Sequence, residues 1–156
     1  MDVMSTRLSW VDRASIALII VGLLVSIYMT IYKLTDNSAL CLGSGDCSAV
    51  NASRYSEVNG IPVAAIGVAG YASLLGVQVL ERRPGFFREH GAVVLFGLAL
   101  TGFLFTAYLV YVEFALLKAL CPFCLTSQAA MTLIFGLSVV RLIWQSPIPE
   151  GVHASH

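Results

Sequence analysis

The sequence contains little charge and no concentration of charge of one sign. Lysine, arginine, aspartate and glutamate make up 12% of the 156 residues, whereas about a quarter of a typical soluble domain is charged. The formal net charge is zero, and no run of like charge is longer than Arg82-Arg83. This balance argues against a surface that binds nucleic acid or an acidic partner.

Signatures of the common cofactors are also missing. The sequence has no CxxCH haem-attachment motif, no nucleotide-binding fingerprint and no flavin signature. Its three histidines, His90, His153 and His156, are not clustered and do not indicate a metal site. Internal repeats and low-complexity tracts are absent as well. The features that remain are long apolar stretches and four cysteines.

Four uncharged stretches run between the charged residues, and each holds about twenty residues, enough for an α-helix to cross roughly 30 Å of hydrocarbon. They are Ala14–Tyr32, Val58–Leu80, Gly91–Val112 and Ala119–Val140. Lipid cannot satisfy exposed backbone groups, so such stretches are helices rather than open strands. The alternative, a soluble bundle, would show a polar face every 3.6 residues. The sequence therefore predicts an all-α membrane protein, a bundle of four transmembrane helices.

The expected organisation is a cytoplasmic lead over 1–13, a four-helix catalytic domain over 14–143 and a cytoplasmic tail over 144–156. The predicted spans are about 14–34, 61–80, 91–113 and 121–142. The first is too long for the apolar region of a signal peptide, and no convincing cleavage site follows it.

The basic residues predict the orientation. With the N-terminus inside, six arginines fall on the inner side and three basic residues on the outer side. The inner ones are Arg7, Arg13, Arg82, Arg83, Arg88 and Arg141, and the outer ones are Lys33, Arg54 and Lys118. The positive-inside rule then favours both termini inside. All four cysteines would lie outside, where disulfides form and persist.

The first outer loop, about residues 35–60, is long and contains Cys41 and Cys47 in a C-x5-C arrangement. Two glycines and an aspartate between these cysteines predict a flexible turn rather than a helix. The mixed small and polar residues 48–56 are consistent with a short surface helix.

The second cysteine pair, Cys121-Pro122-Phe123-Cys124, opens the fourth apolar stretch. Proline suits a first helical turn, which places Cys121 near the helix N-cap, where free N–H groups and the helix dipole stabilise a thiolate. Cysteines three residues apart lie one turn apart, and their disulfide constrains little of the fold. The pair is therefore better suited to be a redox-active disulfide than a structural one.

Other interpretations of the four cysteines stay open at this point. They are a four-cysteine zinc site and two inert structural disulfides in a membrane scaffold. Thiol–disulfide exchange by itself only relays electrons between couples. A net oxidant needs a terminal acceptor, and a dithiol at a lipid surface suggests a membrane quinone.

The order of these motifs resembles the vitamin K epoxide reductase family. The resemblance rests on four spans, a first-loop cysteine pair, Ser53 six residues after Cys47, and a CxxC that opens the last helix. It also includes Gly60-Ile61-Pro62-Val63-Ala64-Ala65-Ile66-Gly67 and Tyr71, and it covers about residues 12–142.

The resemblance implies a role for each motif residue. Cys121 and Cys124 would be the active-site pair, with Cys124 nearer to the quinone ring. Cys41 would meet an external redox partner, and Cys47 would attack Cys121. Ser53 would lie beside the quinone and hold the loop through hydrogen bonds, although an ordinary turn serine is the alternative.

Two positions depart from the vertebrate enzymes of the family, which carry an asparagine and a tyrosine near the quinone. The corresponding residues here are Val63 and Gln128. The short C-x5-C spacing and the Gly60-Ile61-Pro62 entry are more similar to the bacterial form, which implies a bacterial inner-membrane protein. Because the sequence ends shortly after the fourth span, we expect no fused thioredoxin domain. Gln128, one turn beyond Cys124, is a candidate hydrogen-bond donor to a quinone carbonyl. The alternative role is a polar contact between helices. Glu113 and Lys118 are interpreted as interfacial charges.

We therefore expect a membrane thiol–disulfide oxidoreductase that supports disulfide formation. Electrons would pass from a separate thioredoxin-like or DsbA-like protein, through both cysteine pairs, to ubiquinone, menaquinone or phylloquinone. Reduction of vitamin K quinone or its epoxide is the nearer alternative.

Overall fold

The structure is a computed structural model that describes residues 2–35 and 45–145. It consists mainly of four long helices. They are α1 (Asp2–Thr35), α3 (Val63–Leu80), α4 (Phe86–Tyr111) and α5 (Pro122–Gln145), with the short helix α2 (Gly45–Ala52) between the first two. Helix α1 packs against α3 and α5, and α4 packs against the same two helices. The four long helices therefore form a ring around a central core.

The long helices are apolar enough to cross a membrane. The candidate spans are Ser9–Thr35, Val63–Leu80, His90–Leu117 and Pro122–Trp144. Large apolar side chains face outward along them, such as Leu24 at 61% exposure and Leu104 at 60% exposure. Lipid rather than water suits such a surface. The predicted architecture of four membrane-spanning helices is confirmed.

The centre of the bundle is closely packed. Buried residues from all four long helices meet there, namely Ile19, Tyr71, Leu74, Leu95, Ala99, Met131 and Ile134. Gly22 lies directly against the ring of Tyr71, and a Cβ atom at this position would collide with that ring. Glycine at this point of α1 therefore allows the tyrosine to fill the core.

One end of the bundle carries α2, a small hairpin and Cys121, and we call it the cysteine end. After α2, a 3-10 turn (Arg54–Ser56) leads into strands β1 (Glu57–Val58) and β2 (Ile61–Pro62), which pair antiparallel. Asn59 and Gly60 join the strands with φ of 53° and 81°. Positive φ at both positions is the requirement of the tightest hairpin turns, and Asn-Gly meets it.

Helix α2 begins earlier than the sequence suggested. The prediction of a turn over the whole Cys41–Cys47 segment was wrong from Gly45 onward, because Gly45–Ala52 is helical. Val50 of this helix packs against a buried cluster that contains Cys121. Such tertiary packing stabilises short helices more than local propensity does. Cys41 lies outside the described residues.

The opposite end, which we call the arginine end, is held by a group of charged side chains. Arg141 of α5 contacts a Glu81 carboxylate oxygen at 2.5 Å and an Asp12 carboxylate oxygen at 3.5 Å. Gln78 Nε2 donates to the Asp12 carbonyl at 3.3 Å. Burial raises the pKa of Glu81, while the Arg141 guanidinium opposes that rise. The cluster joins α1, the end of α3, and α5.

Candidate active site

Cys121 and Cys124 lie at the start of α5, as the sequence predicts. The Cys121 carbonyl accepts a hydrogen bond from Leu125 N–H at 2.9 Å, which is the first bond of the helix and places Cys121 at the N-cap. Both cysteines are in the reduced, thiol form, and their side chains are within hydrogen-bonding reach of each other. A dithiol in this position can close into a disulfide across one helical turn.

The two thiols have different surroundings. Cys121 is 0% exposed and packs among Met29 and Tyr32 of α1 and Val50 of α2. Cys124, one turn further along, is half-buried and faces a cavity inside the bundle. The first thiol is therefore covered by α2, while the second is open to any molecule that occupies the cavity.

The cavity has a volume of about 350 Å³ and lies between the four long helices at the cysteine end. Ligand pockets in proteins span roughly 300–1,000 Å³, so this one has the size of a small-molecule site. Its walls are largely apolar, and the polar groups that contribute to them include Ser26, Lys33, Ser53, Thr101, Thr106, Glu113, Cys124 and Ser127.

Ser53 lies in the wall of the cavity just after α2. Its hydroxyl donates to the Val50 carbonyl at 2.6 Å, and its carbonyl accepts from the Ser56 hydroxyl at 2.8 Å. Lys33 of α1 in turn contacts the Ser56 hydroxyl at 3.1 Å and a Glu57 carboxylate oxygen at 3.2 Å. These contacts fix the turn above the cavity to helix α1.

Gln128 is buried at 7% exposure but is not among the residues that line the cavity. Its Oε1 has no hydrogen-bond partner among the described side chains and backbone. The cavity wall on this part of α5 consists of Cys124, Ser127 and Met131 instead. The structure thus brings Ser53 and Cys124 to the cavity and leaves Gln128 behind its wall.

Tyr71 forms part of the same wall and connects two helices. Its hydroxyl donates to the Ser127 carbonyl at 2.7 Å and lies 3.0 Å from the Ser127 hydroxyl. The Tyr71 side chain is almost fully buried. This bond fixes α3 to α5 just beyond the reactive pair. Sequence reasoning gave Tyr71 no role beyond its place in the resemblance.

Glu113 is the site residue that sequence reasoning placed wrongly. It lies in a π-helical turn (Val112–Leu117) that continues α4, it is only 4% exposed, and it lines the cavity. Its carboxyl group hydrogen-bonds with the Cys124 thiol and accepts from the Cys121 backbone N–H. The interpretation as an interfacial charge was therefore wrong. The short connection to Cys121 was the available signal, because it places the end of one helix beside the start of the next.

Helix α2 packs against the π-helical turn that holds Glu113. Cys47 belongs to this helix and precedes Val50 by three residues, or about one turn. The described residues contain no group of three His, Cys, Asp or Glu side chains that could hold a metal. The zinc hypothesis depends on Cys41 and on the Cys47 side chain, which both lie outside that description.

Comparison with known families agrees with this geometry. Residues 13–139 match the family model of the vitamin K epoxide reductase family, which covers most of the chain. The chain therefore belongs to this family of membrane oxidoreductases, which act on disulfides and quinones. A quinone is a flat, apolar ring with two carbonyl acceptors, and an apolar cavity with a few polar groups and one reactive thiol fits it.

Proposed function

We propose that this member of the vitamin K epoxide reductase family oxidises a thioredoxin-like protein outside the cytoplasm and reduces a membrane quinone. The observation that supports this most is the placement of Cys124, which lies within hydrogen-bonding reach of the Cys121 thiol and faces an apolar cavity of about 350 Å³. A redox pair beside a small-molecule cavity within the bundle can transfer electrons from protein thiols to a lipid-soluble acceptor.

In this proposal electrons enter through Cys41 and Cys47. A reduced partner would first reduce the Cys41–Cys47 disulfide. The Cys47 thiolate would then attack Cys121 of the Cys121–Cys124 disulfide and release the Cys124 thiolate, and Cys41 would resolve the mixed disulfide. The packing of α2 over Cys121 supports this order, because the helix that covers the buried thiol is the one that carries Cys47.

The last step restores the Cys121–Cys124 disulfide. When bound, a quinone supplies an acceptor for two electrons and two protons. The chain's own contribution is to present Cys124 at the cavity, hold Cys121 within reach of it, and exclude water from the buried thiol. Ser53 would fix the turn above the quinone ring. Gln128 would pack behind the residues that line the cavity.

The same proposal includes the membrane and its orientation. Both termini would face the cytoplasm, and the cysteine end would face the periplasmic side of a bacterial inner membrane. The redox partner would be a thioredoxin-like or DsbA-like protein, and the acceptor would be ubiquinone, menaquinone or phylloquinone. The excess of arginines at the opposite side supports this orientation.

The direct test replaces Cys121 and Cys124 by serine in separate variants. Each purified variant is assayed for quinone-dependent oxidation of a reduced thioredoxin-like protein, and both are expected to fall to background. Ser138→Ala on the same helix, remote from the cavity, serves as a control with wild-type turnover. Retained turnover in both serine variants would refute the proposal.

The same preparations separate the alternatives. Val63 lines the cavity and offers no hydrogen-bond donor from its side chain, so we expect no reduction of vitamin K epoxide. Mass spectrometry of the four cysteines tests the scaffold alternative. Disulfides that do not change when reduced partner is added would favour a structural role.

A further inference from the structure

Glu113 is the most deeply buried acidic side chain that the structure describes. Its carboxyl group touches the Cys124 thiol, and it lines the cavity that this thiol faces. One carboxylate oxygen, Oε2, has no hydrogen-bond partner among the described groups. An acid that contacts the thiol and also lines the cavity is placed to exchange a proton with both.

Among the described residues, the surroundings of Glu113 provide no compensating cation. In the described part of the chain no lysine, arginine or histidine lies within ion-pairing distance of it. Lys33 lines the same cavity but contacts Glu57, and Lys118 lies just beyond the π-helical turn. The ionisable groups that do face Glu113 are Cys121 and Cys124. A buried carboxylate without a cation is costly, so such a group readily takes up a proton.

The local backbone adds independent support. Glu113 lies in the π-helical segment Val112–Leu117, whereas the rest of α4 is α-helical. Short π-helical segments are rare and frequently occur at functional sites. The wider turn places the Glu113 carboxyl group next to the N-cap of α5, where it also accepts the Cys121 N–H.

We propose that Glu113 is a catalytic residue that accepts the Cys124 proton as the Cys121–Cys124 disulfide forms and passes it on to the cavity. The proposal rests on the function proposed above and adds the proton route to it. Formation of the S–S bond breaks two S–H bonds and releases two electrons and two protons. With a quinone as the acceptor, both electrons and both protons would end on the hydroquinone, and Glu113 would deliver one of these protons.

A structural role is the alternative, because the same carboxyl group accepts the Cys121 N–H. The variant Glu113→Gln separates the two roles, since the amide oxygen can still accept that hydrogen bond but the amide cannot carry the proton. Glu113→Asp keeps an acid on a shorter side chain. Glu89→Gln, near the start of α4 at the opposite end of the bundle from Glu113, is the matched control for removal of a carboxylate.

Turnover is measured with reduced partner and quinone. We expect Glu113→Gln to lose about 100-fold in kcat, as is typical when a general acid–base group is removed, with unchanged thermal unfolding. We expect Glu113→Asp to lose less and Glu89→Gln to match the wild type. Equal kcat in Glu113→Gln and the wild type would overturn the proposal, whereas a wild-type protein that does not reduce quinone would instead overturn the proposed function.

A second readout needs no quinone. The protein is oxidised and reduced with soluble thiol reagents in a Cys41→Ser, Cys47→Ser background, and the infrared difference spectrum is recorded. Oxidation of the pair should change a carboxyl C=O band that is absent in Glu113→Gln and shifted in Glu113→Asp. The same band in all three proteins would show that Glu113 does not exchange a proton with the pair, and would overturn the proposal even if Glu113→Gln were unstable.

Discussion

The two ends of the bundle both bury an acidic side chain, but they surround it with different partners. At the arginine end, Glu81 contacts Arg141 at 2.5 Å, and Asp12 lies near the same guanidinium. At the cysteine end, Glu113 faces two thiols and an apolar cavity. A guanidinium stabilises the charged form of a carboxylate, whereas thiols supply no compensating positive charge, so the carboxyl group beside them gains and loses a proton more readily.

The two ends of the bundle therefore have different roles. The charged group at the arginine end joins three helices through Arg141, so its contribution is to stability. The cysteine end keeps a cavity and two reduced thiols. A cavity costs stability. Variants at the two ends should therefore change different measured quantities.

The largest effect on stability is expected for Arg141→Met. Removal of the guanidinium leaves Glu81 buried without its cation, which typically costs about 3–5 kcal/mol. Unfolding in detergent or lipid, monitored by circular dichroism, measures the loss. Glu81→Gln in the same chain should recover much of it, and a failure to recover would show that the ion pair is not the cause.

The pH dependence of Arg141→Met follows from the same contact. Burial raises the pKa of Glu81, and the variant lacks the guanidinium that opposes this rise. A carboxyl group with a raised pKa binds a proton more tightly in the folded state, so stability increases as pH falls through that pKa. The stability deficit of the variant should shrink toward acidic pH, and a constant deficit would contradict this assignment.

A smaller effect, on both stability and turnover, is expected for Gly22→Ala at the level between the two ends. The added methyl group collides with the Tyr71 ring, and overpacking of this kind costs about 1–3 kcal/mol. Displacement of Tyr71 also disturbs its bond to Ser127 in the cavity wall. We therefore expect a lower unfolding temperature together with a higher KM for quinone. Gly76→Ala, where no atom lies within 4 Å of the added carbon, is the matched control.

The smallest effect is expected for Gln128→Leu. Gln128 lies outside the cavity lining, and its buried Oε1 has no partner in the described part of the chain. Replacement by a similar apolar volume leaves no polar group unsatisfied and is close to neutral. The KM for quinone should change less than about twofold, a difference of roughly 0.4 kcal/mol. A large increase would show that the amide reaches the ring.

The sequence predicted the four membrane helices because uncharged length alone determines what can cross lipid. It also predicted the position of Cys121, because Pro122 restricts the first helical turn. The Asn59-Gly60 hairpin was not predicted, although the dipeptide itself is a strong local turn signal. These three features depend only on residues that are close together in the chain.

Features that depend on packing between distant segments were not predicted. Nothing near Glu113 in the sequence indicates that its helix ends in a π-helical turn directed at the cysteines. The contact between Glu81 and Arg141 spans sixty residues of chain. Helix α2 begins at Gly45 in a segment whose composition favours a turn. Each of these arrangements is stabilised by tertiary contacts that no local pattern records.

A single-turnover experiment tests the central claim most directly. The protein carrying Cys41→Ser and Cys47→Ser is fully reduced, freed of reductant and mixed with excess quinone, and hydroquinone and the Cys121–Cys124 disulfide are then measured together. We expect one hydroquinone for each disulfide formed. Quinone that stays oxidised while Cys121 and Cys124 remain reduced would contradict electron transfer from this pair to quinone.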